Sequence, residues 1–153
     1  MELSASEREL VDEARGRIRD HARKRRAAGH YDKLYAFVRS ETGTVYEGTP
    51  LETSMTQADC CAERHAIANM QHAETESTML DAVLVAGPVP DTDDRVTTPC
   101  GACRHAISQF SDDATVLCSN FVRRDDGWTL FPSIERYTAE ELYPAARIEP
   151  VWE

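Results

Sequence analysis

Leu80 to Ala86 is a Val-rich, largely apolar run closed by Gly87-Pro88. A continuous run of this kind suits a buried central strand. Thr115 to Ser119 reads the same way. Around these two runs the chain changes period. Residues 60–73 read as a helix in which Ala62, Ala66, Ile67 and Met70 share a face, and residues 101–110 read as another. Tyr35 to Arg39 and Thr44 to Glu47 read as strands joined across Glu41-Thr42-Gly43, a hairpin signal. Residues 91–98 read as a polar loop, Trp128 to Phe131 as a further strand, and 138–143 as a short helix before Pro144. Strands and helices alternating after a hairpin predict an α/β layered sheet.

Residues 4–28 predict a long helix. Ser4 with Glu7, or Ser6 with Glu9, has capping-box spacing, and Leu10, Val11, Ala14, Ile18 and Ala22 form one apolar stripe. Gly29 is a suitable C-terminal stop. The run Arg23-Lys24-Arg25-Arg26 reads as a solvated basic end that suits the helix dipole, with an anion or partner site as the sharper alternative. The length of 153 residues fits one domain. We divide it into an N-terminal helix at 1–29, a core at 30–147 and a tail at 148–153.

The chain carries 17 Lys and Arg against 27 Asp and Glu, net −10. That balance argues against a partner rich in phosphates, which needs clustered positive charge. The N-terminus bears acids where a secretory signal would be basic, and no apolar stretch approaches the ~18 residues of a membrane span. Five cysteines are odd in number and too few for a disulfide scaffold. We expect a soluble, cytoplasmic protein with reduced thiols, whose cysteines serve metal binding or catalysis.

Two segments carry that chemistry: Cys61-Ala62-Glu63-Arg64 and Pro99-Cys100-Gly101-Ala102-Cys103. A lone C-x-x-C could be a redox pair or half of a structural zinc site. Together the segments offer three thiolates and a carboxylate at the starts of two predicted helices. Three protein ligands leave one zinc position open, the pattern of a catalytic rather than a structural site. His65 follows Cys61 by four residues and could share its face, while Cys60 and Cys118 read as small buried apolar residues.

These two segments resemble the zinc signature of the cytidine deaminase family, and the resemblance extends over roughly residues 31–147. A cysteine as the first ligand is similar to the free-nucleoside branch, whereas the nucleic-acid-editing branch usually has His there. The resemblance implies a three-layer α/β/α sandwich around a central mixed five-stranded sheet, often assembled as a homotetramer with sites at subunit interfaces. It implies one zinc per subunit, held by Cys61, Cys100 and Cys103. Glu63 would shuttle protons beside the metal, and Arg64 would donate to the sulfurs to offset three negative charges. The implied reaction is hydrolytic release of ammonia from cytidine, deoxycytidine or a related amino-heterocycle.

The recognition half departs from the family pattern. Glu52 occupies the position of a ribose-binding Glu, but Pro50 stands where the accompanying Asn would be, removing a side-chain donor. Asp32 replaces an expected aromatic unless Tyr31 substitutes for it, Tyr35 stands at a Gly position, and Arg147 replaces a Phe that would reach a neighbouring subunit. A modified cytosine, a blasticidin-like nucleoside or a nucleobase is therefore an alternative substrate. A deaminase of bases in nucleic acid and a zinc-stabilised binding protein without activity are the remaining alternatives. Net charge argues against the first of these and an intact Glu63 against the second.

Overall fold

Ser4 and Glu7 close a capping box. The Ser4 amide donates to the Glu7 carboxylate at 2.7 Å, and the Glu7 amide donates to Ser4 Oγ at 3.2 Å. Two otherwise orphaned donors are thus satisfied at the entry to helix α1, Ala5–Ala27. The computed structural model describes residues 1–27, 34–75, 78–88, 95–124 and 127–144. Gly29, Tyr31, Asp32, Arg147 and the 148–153 tail lie outside them.

Strands β1 (Tyr35–Ser40) and β2 (Val45–Gly48) form the expected hairpin. Gly43 supplies its turn with a φ of 88°, a conformation that penalises any Cβ. Helix α2 spans Ala62–Ala73, β3 Leu80–Pro88, α3 Gly101–Ser108, β4 Thr115–Arg124, β5 Gly127–Thr138 and α4 Ala139–Leu142. The five strands form one sheet in the order β2-β1-β3-β4-β5. Only the central β3–β4 pair is parallel, so the sheet is mixed, as the family resemblance implies.

Alternation along the strands divides the core. Tyr35, Phe37, Leu84, Leu117 and Phe121 pack with the α1 stripe of Leu10, Val11, Ala14 and Ile18. Val38, Val83, Val85, Val116 and Cys118 face the other way, against Ala66, Ile67 and Met70 of α2 and Ile107 of α3. The result is helix, sheet and helix in three layers. Polar pairs tie α1 to the sheet: Arg136 Nε donates to the part-buried Glu7 carboxylate at 2.6 Å, and Arg39 bridges Asp81 and the Ser6 carbonyl.

Strands β4 and β5 run longer than their sequence signals. Their pairing jumps from Ser119↔Ile134 to Phe121↔Leu130, so Phe131-Pro132-Ser133 bulge opposite Asn120. Pro132 cannot donate to a ladder, and Phe131 takes a φ of 56°. The bulge absorbs the proline and lets the strand resume through Thr138.

Candidate active site

Cys61 and Cys100 occupy equivalent places. Each is the N-cap residue of a helix, α2 and α3 respectively. Each has extended backbone angles, and neither side chain caps its own helix. The thiols are therefore left to point at each other from two helix N-termini. The partial positive charge of those termini favours negative charge placed near them. Cys103 lies three residues into the second helix and is buried. The three sulfurs lie within 4.8 Å of one another, with Cys61 Sγ and Cys100 Sγ 3.6 Å apart. Sulfurs in a tetrahedral zinc site with bonds of about 2.3 Å lie about 3.8 Å apart. The donor set and its spacing therefore fit zinc, with one coordination position left over.

Glu63 stands beside this cluster without joining it. It is 3% exposed, and the Cys103 thiol donates to its Oε2 at 3.6 Å. Burial holds its carboxyl above the ordinary carboxylate range, against the lowering effect of nearby donors and Arg64. A carboxyl raised in this way is a stronger proton acceptor than a solvated one. The Cys103 thiol is pushed up by burial and then by the charge on Glu63. Burial also opposes ionisation of Cys100, but hydrogen bonds from Cys103 and Cys61 prevail and lower it. Arg64 Nη2 donates to Cys61 Sγ at 3.6 Å. Its affinity for its proton is raised by the sulfurs of Cys61 and then Cys103.

The site opens into a cleft of about 420 Å³, within the span of small-molecule sites. Pro50 and Glu52 line it with Cys61, Glu63, Arg64 and Cys100, and Glu52 is exposed there. Leu34, Thr56, Asp59 and Thr98 also line it, and nothing in their local sequence sets them apart. Asp59 accepts from the Thr53 amide at 2.7 Å and from its hydroxyl at 2.9 Å, which fixes the shape of the 53–59 segment.

Several expected placements differ. Tyr35 does not reach the cleft. It points to the α1 side of the sheet, where its hydroxyl meets His21 Nδ1 at 2.9 Å and its ring packs near Phe121. The reason is strand alternation: Ala36 and Val38, not Tyr35, face α2. Asp32 and Arg147, the two charged specificity candidates, lie outside the described residues. His65 turns from the sulfurs and donates through Nδ1 to the Thr49 carbonyl at 2.9 Å. Cys118 is buried as expected, but Cys60 is only half-buried and lines the cleft. Arg23 pairs with Asp20 at 3.8 Å on a surface where Arg23, Lys24 and Asp20 are all exposed, which suits a solvated basic end.

A mixed sheet between helical layers, with three thiols, an adjacent buried carboxyl and an open cleft, defines a zinc-dependent deaminase. Residues 20–119 match the family described as the cytidine and deoxycytidylate deaminase zinc-binding region. The chain belongs to this family. It is similar to a cytidine deaminase of Sporosarcina psychrophila, with 32% identity over 70% of this chain and 68% of the relative. It is also similar to a blasticidin-S deaminase of Bacillus cereus, with 32% identity over 54% of this chain and 60% of the relative. The crystal structure of a cytidine deaminase from Burkholderia pseudomallei shares the fold. Its TM-score is 0.60 at 23% identity, covering 74% of this chain and 80% of that one. Among the described residues, no helix is long and apolar enough to cross a membrane.

Proposed function

We propose that this enzyme hydrolytically deaminates cytidine, deoxycytidine or a closely related amino-heterocycle nucleoside, with Cys61, Cys100 and Cys103 holding one zinc per chain. The observation that carries the reading is the buried Glu63 carboxyl lying against three clustered thiols at one end of an open cleft. Zinc bound there supplies a Lewis acid that brings the pKa of a water toward neutrality. Glu63 takes one proton from that water and delivers it to the ring nitrogen, then takes the second from the added hydroxyl and delivers it to the departing amine. Oxygen is added at the amine-bearing carbon and ammonia leaves, so the base gains a carbonyl. Arg64 offsets part of the negative charge on the sulfurs. Glu52 is the sugar-binding candidate from its place in the cleft.

Pro50 favours a second substrate. It lines the cleft at the position where the family resemblance expects an Asn to bind a ribose hydroxyl. A nucleoside with an altered sugar, of the kind blasticidin S represents, would not need that donor. Free thiols at the site suit the reducing cytoplasm. Leu51 and Met55, 54% and 61% exposed on the segment beside the cleft, suit a homodimer or homotetramer in which a second copy covers them. Ammonia release from zinc-loaded protein, measured in parallel with cytidine, deoxycytidine, cytosine and blasticidin S, separates the two substrates. Turnover of blasticidin S well above that of cytidine would replace the first reading with the second.

A further inference from the structure

The turn that presents Cys100 has little of its own to hold it. Pro99 lacks an N–H, Cys100 caps nothing, and residues 95–99 form no regular structure. Among the described residues one backbone bond, from the Thr97 amide to the Ser119 carbonyl at 2.9 Å, ties the segment to β4, and Val96 packs against the core. The second tie is Arg104, one turn into α3. Its Nε donates to the Pro99 carbonyl at 2.8 Å, its Nη1 to the Leu142 carbonyl at 3.1 Å, and its Nη2 to Thr98 Oγ1 at 3.4 Å. One planar fork thus joins the peptide before Cys100, a side chain of the cleft wall and the last residue of α4. Among the described residues Arg104 makes no ion pair, so its role there is the direction of its donors rather than charge pairing.

We propose that Arg104 is a positioning residue that fixes the Cys100 turn in the geometry zinc requires, and couples that turn to the end of α4. The proposal rests on Cys100 being a zinc ligand. A lysine has the charge but not the fork, and cannot reach three acceptors in fixed directions. Groups that orient metal ligands typically contribute about 10–100-fold to metal affinity.

The test compares wild type, Arg104→Lys and Cys100→Ser by cobalt titration, zinc competition with a chelator, and circular dichroism of the zinc-free chains. The expected result for Arg104→Lys is a native dichroism spectrum, a weakened sulfur-to-cobalt charge-transfer band at saturating cobalt, and about 10–100-fold weaker zinc binding. An unchanged band and affinity in Arg104→Lys, with both reduced in Cys100→Ser, would overturn the positioning role alone. Unchanged behaviour in Cys100→Ser would remove the ligand assignment and this proposal with it. A zinc-free Arg104→Lys chain that has lost its native spectrum would show a role in folding instead.

Discussion

Replacing Arg64 by Ala removes a guanidinium whose Nη2 lies 3.6 Å from Cys61 Sγ. At that distance, unit charges attract by about 4–5 kcal/mol with an effective dielectric of about 20, an upper bound before desolvation is counted. The net worth of a hydrogen bond to a charged group is about 1.5–3 kcal/mol. That range corresponds to about 10–150-fold in an equilibrium constant, so Arg64→Ala should weaken zinc binding by one to two orders of magnitude. The loss depends on pH. Where the free thiols are ionised, Arg64 stabilises the metal-free site as well, and part of its effect cancels. Where they are protonated, zinc must displace protons without help from the cation, and the loss is larger. The gap between variant and wild type should therefore be wider at lower pH. Among the described residues Arg64 Nε is buried without a partner, so truncation breaks no bond at that atom. The zinc-free fold should melt near the wild-type temperature. Chelator competition at several pH values is the assay. Zinc affinity within about twofold of wild type throughout would refute the electrostatic role of Arg64.

Gly48→Ala should destabilise the protein by about 1–3 kcal/mol and weaken zinc binding, because a Cβ at 48 would lie 2.3 Å from the Ala62 carbonyl and 2.6 Å from the Ala66 amide. Urea unfolding checks this, and an unchanged midpoint would show that α2 can move aside. Hydrogen bonding to Arg136 holds the Glu7 carboxyl below its usual range. Its stabilisation is therefore present above the unfolded-state pKa of about 4.3 and fades as pH falls through the lower folded value. Zinc-free Glu7→Gln should thus be less stable than zinc-free wild type at pH 7, with the difference closing below about pH 4; a difference constant with pH would contradict the pairing. Glu52→Gln should raise KM for a ribonucleoside with little change in kcat, and steady-state kinetics equal to wild type would remove Glu52 from sugar binding.

Much of the layered fold was legible because burial leaves its mark on period. The apolar runs at Leu80–Ala86 and Thr115–Ser119 became the central parallel pair, and the α1 stripe became one outer layer. The clustered thiols and the carboxyl beside them were legible because metal chemistry demands particular side chains at helix starts. Recognition was less so. The cleft wall comes from residues such as Leu34, Thr56 and Thr98, on segments without periodicity that only the folded chain brings together. Tyr35 shows a different failure: similarity locates a position along a strand, but alternation decides which face its side chain takes. Arg104 was silent for a third reason. Its acceptor at Leu142 is 38 residues away, so nothing local in the sequence shows what its donors reach.

The central claim is that Glu63 moves the proton in a zinc-dependent deamination. Its most direct test is ammonia release from wild type and Glu63→Ala, each confirmed to hold one zinc per chain, with the nucleoside that wild type turns over fastest. The account predicts steady ammonia release by wild type and a loss of at least about 100-fold in kcat for Glu63→Ala at unchanged zinc content. Near-wild-type turnover by the fully loaded variant would contradict it.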